Sequence, residues 1–377
     1  MKNIRVIAPV FVCLALCFFI FGCGNVVGGG GGSSGGGSSN PPEHISTVDN
    51  VIIEHTSLVL DQQGRPHISY YDKNNYDLKY AKWNGSTWEV TVIQSYESSA
   101  MKVGEYSSIA IDSNNRPIIA FRYSGTAESQ VRIATLESTN WIISTVDTNS
   151  DINLGNYCSL KIDSQNHLYV AYLDAAMQIV KLASYEGSSW NIQTVTTGQG
   201  MISLALDEYD SPYICYFKSP NMVYCTYWNS GWVTAEIDPS VGDYSGGVRI
   251  SIALTGTMHP IISYYQSVQG DLKVASYEGT GPTGWATYEV DSYQDAGRYS
   301  SIAVNGGMIG VSYSRNNGSL DYAKCTSSGW TSEAIDDNGG AGSVGRFNNL
   351  ALDAYGKARI CYANEMSGSQ SLKYYWE

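Results

Sequence analysis

One phrase recurs seven times along this chain, and a repeat of that kind restricts the fold more than any other feature. It first reads Ser57-Leu58-Val59-Leu60-Asp61, turns through Gly64-Arg65, and resumes as Pro66-His67-Ile68-Ser69-Tyr70-Tyr71-Asp72. Asp77-Leu78-Lys79-Tyr80-Ala81 follows, then Asn84-Gly85 and a run from Trp88 to Ile93. The phrase returns from Ser108, Ser159, Ser203, Ser251, Ser301 and Asn349, at intervals of 44 to 51 residues. Each copy holds four short alternating runs divided by turn signals, the pattern of four antiparallel strands.

One such unit cannot bury both of its faces, so the copies must pack side by side around an axis. The Ser-Ile-Ala-Ile type run is the most apolar and is expected innermost; the Trp run is expected at the outer edge. The last copy stops at Trp376-Glu377 without a Trp run, whereas His44 to Asp49 matches Ile142 to Asp147. That N-terminal strand should complete the seventh blade and hide an exposed edge. Glu43 stands there in place of the Trp of other blades. The fold class is therefore all-β: a seven-bladed β-propeller of four-stranded antiparallel blades over residues 43–377, with the seventh blade closed by the N-terminal strand.

Ahead of the repeats, Lys2 and Arg5 precede an apolar stretch, Val6 to Phe21, that ends Ile20-Phe21-Gly22-Cys23. The stretch is short for a membrane span and suits a signal peptide. It resembles the lipobox of bacterial lipoproteins, with Phe21 departing from the small residue usual at that place. The resemblance implies a signal peptide over residues 1–22 and lipidation of Cys23. Gly24 in place of Asp implies an outer-membrane or surface destination. An ordinary signal peptide or an uncleaved anchor is the alternative. Residues 23–42 are rich in Gly and Ser and read as a flexible tether. The net charge of -13 disfavours nucleic acid and anionic lipid, so contact with a membrane is expected through the lipid alone.

In propeller topology one rim gathers the loops before the inner strands and after the second strands. The first set contains Gly104-Glu105-Tyr106, Gly155-Asn156-Tyr157, Gly297-Arg298-Tyr299 and Gly345-Arg346-Phe347, with Glu54-His55 and Val248-Arg249 in blades one and five. The second set is Asp72, Tyr123, Asp174, Lys218, Gln266, Arg315 and Asn364. Both sets are expected around the channel mouth. Arg249, Arg298, Arg315 and Arg346 would give blades five to seven a positive sector. Tyr106, Tyr157 and Tyr299 would offer stacking faces, and Glu105 and Asp72 polar contacts, to a small anionic or polyhydroxylated ligand. The competing reading is that the arginines pair with neighbouring carboxylates and the tyrosines pack the rim.

The repeats resemble the broad group of sialidase-like and sugar-binding propellers. That resemblance implies architecture and does not fix function. The sialidase Asp-box, Ser-x-Asp-x-Gly-x-Thr-Trp, finds only Asp61-Gln62-Gln63-Gly64 and Asp353-Ala354-Tyr355-Gly356 here, and Arg116-Pro117 lacks the Ile of the Arg-Ile-Pro motif. No catalytic residue is assigned, since Glu105, Asp151 and Asp295 are equally eligible acids. Asp61, Asp112, Asp163, Asp207 and Asp353 suit turn caps. The Trp series from Trp88 to Trp330 suits packing between blades. No metal or cofactor signature is found. Cys215 and Cys225 could pair across a hairpin or remain buried thiols.

The function read from these features is a non-catalytic, monomeric recognition module at the cell envelope, binding a glycan or an envelope or extracellular protein through its loop rim. The alternatives are a polysaccharide-acting glycosidase or lyase, and a structural subunit of an envelope complex.

Overall fold

Alternating side chains along every repeat leave each sheet with two half-apolar faces, and the chain buries both by stacking sheet on sheet. The computed structural model describes residues 44–377, apart from 97–100, 151–152, 221, 240, 243–248, 257–258, 280–282, 341–342 and 367. Residues 1–22, Cys23, the tether and Glu43 lie outside the described residues.

The strands form seven four-stranded antiparallel sheets. Blade one runs outward through Ile53–Leu60, Pro66–Asp72, Asp77–Trp83 and Trp88–Gln94. Blades two to six repeat that order, with inner strands Lys102–Ile111, Leu154–Ile162, Ile202–Leu206, Ile250–Leu254 and Ala296–Asn305. Blade seven comprises Val344–Leu352, Ala358–Met366 and Ser369–Trp376, and its fourth strand is Ile45–Asp49 from the other end of the chain. Ile45 lies opposite Tyr375 in that pairing, so the expected split blade is present.

Burial follows the blade interfaces. Seven apolar clusters each join two adjacent blades; one gathers Ile68 and Tyr70 of blade one with Cys361, Ala363 and Tyr374 of blade seven. The outer tryptophans seal these seams: Trp88 packs edge-on against Tyr374 at 5.2 Å, and Trp141 against Tyr80 at 5.1 Å. The turn aspartates act as the sequence suggested. The Asp61 carboxylate accepts the amides of Gln63 and Arg65 at 2.9 and 2.8 Å, and Asp112, Asp163, Asp207 and Asp353 repeat the arrangement.

Two further seams join neighbouring blades. At the channel, the residue that opens each repeat accepts the amide of the next blade. Ile109 N–H donates to Ser57 Oγ at 3.2 Å, Leu160 to Ser108 at 3.0 Å, and so on through Ser159, Ser203, Ser251 and Ser301. Leu58 N–H donates to Asn349 Oδ1 at 2.8 Å and closes the circle. Farther out, Asp49, Asp147, Asp238 and Asp336 accept the hydroxyls of Tyr70, Tyr172, Tyr264 and Tyr362 of the following blade at 2.6–2.8 Å. Asp291 does the same for Tyr313. Hydrogen bonds to a charged partner of this kind contribute about 1.5–3 kcal/mol each.

Cys158, Cys215, Cys225 and Cys361 are buried thiols. Cys215 and Cys225 face each other on adjacent strands, but Cys215 Sγ–H donates to Ser203 O at 3.6 Å and no disulfide links them. Burial pushes the Cys158 and Cys361 thiols up to about 12.

Candidate functional site

The channel mouth is built by a bulge near the start of the inner strand. Register slips between Glu54 and Ser57, Glu105 and Ser108, Asn156 and Ser159, Arg298 and Ser301, and Arg346 and Asn349. The bulged residue takes a left-handed backbone: φ is 53° at His55, 56° at Tyr106, 59° at Tyr157, 54° at Tyr299 and 49° at Phe347. A β-bulge re-aims side chains, and here it forms an aromatic collar. The preceding glycine explains the Gly-x-aromatic phrase. Gly104 and Gly297 have φ of 104° and 108°, and a Cβ on either would sit 2.7 Å from the Cα of Leu78 or Leu272 in the previous blade.

Around the collar, Tyr299 meets Phe347 at 5.0 Å, Phe347 meets His55 at 5.6 Å, His55 meets Tyr106 at 4.1 Å, and Tyr106 meets Tyr157 at 4.8 Å. Blades four and five complete the circle with Met201 and Arg249. Tyr106 and Tyr157 therefore reach the channel, as expected; Tyr299 is buried at 6% exposure within the ring stack.

The four arginines do not form one positive sector. Arg298 pairs with Asp295 at 2.9 Å, and Arg346 with Glu365 at 2.5 Å while Nε–H donates to Tyr299 Oη at 3.1 Å. Both occupy the bulge position three residues before the strand serine. Blades one and two place acids there instead: Glu54 pairs with Lys73 at 2.6 Å, and Glu105 with Arg122 at 2.9 Å. The rim thus carries a circuit of ion pairs whose polarity reverses from one side to the other. Asp295 is held by Arg298 and by the Tyr265 hydroxyl. Asp151 lies outside the described residues.

Asp72 and Arg315 are corrected to structural roles. Asp72 is fully buried and pairs with Lys79 at 3.0 Å, diagonally across the hairpin of its own blade. The same two positions hold Asp174 with Lys181 in blade three at 3.3 Å. In blade two they hold Tyr123 beneath Arg132, and in blade four Lys218 over Tyr224, with cation–ring distances of 3.7 and 5.7 Å. Blade six exchanges the charges: Arg315 pairs with Asp321 at 2.9 Å and with Asp291 at 2.6 Å. These residues vary among blades together with their partners.

Arg249 is different. Among the described residues no carboxylate lies within ion-pair distance of it. Its guanidinium crosses from blade five to blade seven, donating to Asn348 O at 3.4 Å and resting 5.7 Å from the Phe347 ring centre. The collar borders a cavity of about 120 Å³ in the channel, lined by Arg249, Tyr106, Tyr157 and the strand serines. His55 also lines it, and burial, reinforced by the Arg249 charge, holds its imidazole well below the ordinary range and neutral. No group of three metal-ligating side chains gathers among the described residues.

No protein-family model matches the sequence, and no curated protein sequence does. The fold is similar to solved propellers. The α-L-arabinofuranosidase of Fusarium graminearum, solved with arabinobiose, superposes with a TM-score of 0.52 at 10% identity over 89% of this chain and 97% of that one. The Aleuria aurantia lectin, solved with α-methyl-L-fucoside, gives 0.50 at 13% identity over 78% and 98%. A protein of unknown function from Dyadobacter fermentans gives 0.51 at 9% identity over 89% and 99%. These likenesses show the β-propeller fold.

Proposed function

We propose that this chain is a glycan-recognition propeller whose ligand binds on the bulge-side rim, and that it is displayed at the bacterial cell envelope through a lipid on Cys23. The observation that carries the recognition reading is the rim circuit of ion pairs set beside aromatic faces. A sugar hydroxyl both donates and accepts, and a half-exposed carboxylate–guanidinium pair offers it both complements at once. Arg298–Asp295 and Arg346–Glu365 do this beside the collar of aromatic rings. The envelope reading rests on the lipobox-like Ile20-Phe21-Gly22-Cys23 and the tether after it.

The test is a glycan-array screen of the purified chain beside its Arg298→Ala/Arg346→Ala variant, with folding of both checked by thermal melting. Saturable binding lost in the folded variant supports the rim site. Absence of binding to any glycan removes the reading and turns attention to protein partners of the envelope.

A further inference from the structure

The cavity bordered by the collar has a chemical character opposite to that of the chain around it. The protein carries a net charge of -13, yet no Asp or Glu lines this space. Arg249 is the one ionised side chain in the lining, since His55 is held neutral. The rim arginines Arg298, Arg315 and Arg346 are each paired with a carboxylate, whereas Arg249 has only a long bond to a carbonyl among the described residues. A guanidinium withdrawn from water without a counter-charge is costly to keep. Blade four shows that the fold does not require it, because Met201 fills the equivalent place.

The remaining lining strengthens the point. The hydroxyl oxygens of Ser57, Ser108, Ser159, Ser203 and Ser251 are occupied as acceptors by the amides of neighbouring blades. Each hydroxyl still has its proton to give. None of those protons has an acceptor among the described residues. A positive charge and a ring of donors therefore converge on a space with room for about four water molecules, at roughly 30 Å³ each.

We infer that the propeller channel is a binding site for a small carboxylate, seated on the Arg249 guanidinium and ringed by the strand serine hydroxyls. The planar guanidinium fork matches a carboxylate in two-point contact, and the cavity accommodates one of formate or acetate size, or the carboxylate end of a longer molecule entering through the collar. This site is separate from the rim pairs and stands whether or not the rim binds a glycan.

The experiment is isothermal titration of sodium acetate into the full chain in HEPES buffer of low ionic strength, with sodium chloride titrated in parallel. Denaturation midpoints are recorded with and without acetate for the wild type, Arg249→Met and Arg249→Lys. Saturable one-to-one acetate binding is expected in the wild type, weakened about tenfold or more in Arg249→Lys and abolished in Arg249→Met. Arg249→Met should also be the more stable chain in acetate-free buffer and should gain nothing from acetate. Unsaturable acetate uptake by the wild type would overturn the inference, and so would binding that survives in Arg249→Met. Equally tight chloride binding would overturn the carboxylate assignment. If Arg249→Met does not fold, the inference is refuted on stability, because an unpaired cation would not then be the burden the structure implies.

Discussion

The exchanged charges of blade six allow a sharp test of whether rim-side variation reflects internal pairing. Blade one holds two acids and one base at this junction: Asp49 and Asp72 flank Lys79 at 2.9 and 3.0 Å. Blade six holds the same charges in another order, with Asp291 and Asp321 flanking Arg315 at 2.6 and 2.9 Å. Arg315→Asp alone would leave three carboxylates together where the arginine side chain is only 10% exposed. Removing one partner of a buried pair costs about 3–5 kcal/mol. Asp321→Lys alone removes two charged hydrogen bonds, from Arg315 and from the Ser319 hydroxyl, about 3–6 kcal/mol together, and sets a second cation beside Arg315. The double variant rebuilds the charge arrangement of blade one. It forgoes the bonds from Arg315 to Tyr293 O at 3.1 Å and to Tyr313 Oη at 3.3 Å, and that from Ser319 to Asp321, about 3 kcal/mol together. Urea denaturation of the four proteins, followed by tryptophan fluorescence, should therefore give a coupling energy of about 5 kcal/mol in favour of the double variant. A double variant no more stable than Arg315→Asp would refute the pairing argument and restore these positions as ligand candidates.

Two other outcomes follow from the channel. Asn349→Ala removes the acceptor for Leu58 N–H and should cost about 1–3 kcal/mol and speed hydrogen exchange at that amide, whereas Asn349→Ser, the residue of the other six blades, should be nearly neutral. His55 is neutral when folded because burial lowers its pKa, so the unfolded chain takes up the proton first as pH drops. Its contribution is unaffected above about pH 6.5 and turns destabilising as pH falls from there toward the lowered folded value. A pH series of denaturation midpoints should show that slope, and His55→Phe, which copies Phe347 of blade seven, should reduce it.

Much of the architecture was readable because a propeller announces itself through period. Seven copies, four alternating runs in each, and an N-terminal strand matching the missing last run gave the blade number and the closure. Turn aspartates such as Asp61 were equally plain, since their acceptors serve amides two and four residues on. The collar was half-visible: Gly-x-aromatic marked the place, but the bulge that turns Tyr106 and Tyr157 inward is a matter of backbone register. The column that holds Asp72 and Arg315 varies from blade to blade. Taken with the column seven residues on, at Lys79, the variation resolves into matched pairs. Arg249 was grouped with three other arginines by charge, and only packing separates the one cation lacking an acid from those that have one.

The split seventh blade has a consequence for how the molecule is made. Ile45–Asp49 is synthesised first among the strands, yet its hydrogen-bonding partner, Ser369–Trp376, is synthesised last. Until Ser369–Trp376 has been made, that strand lacks its hydrogen-bonding partner in the seventh blade. Contact order is thus highest at the single junction on which ring closure depends, and such long-range pairing is the slow, aggregation-exposed step of folding. A propeller clasped in this way cannot finish blade by blade as it emerges; closure waits until Ser369–Trp376 can meet Ile45–Asp49.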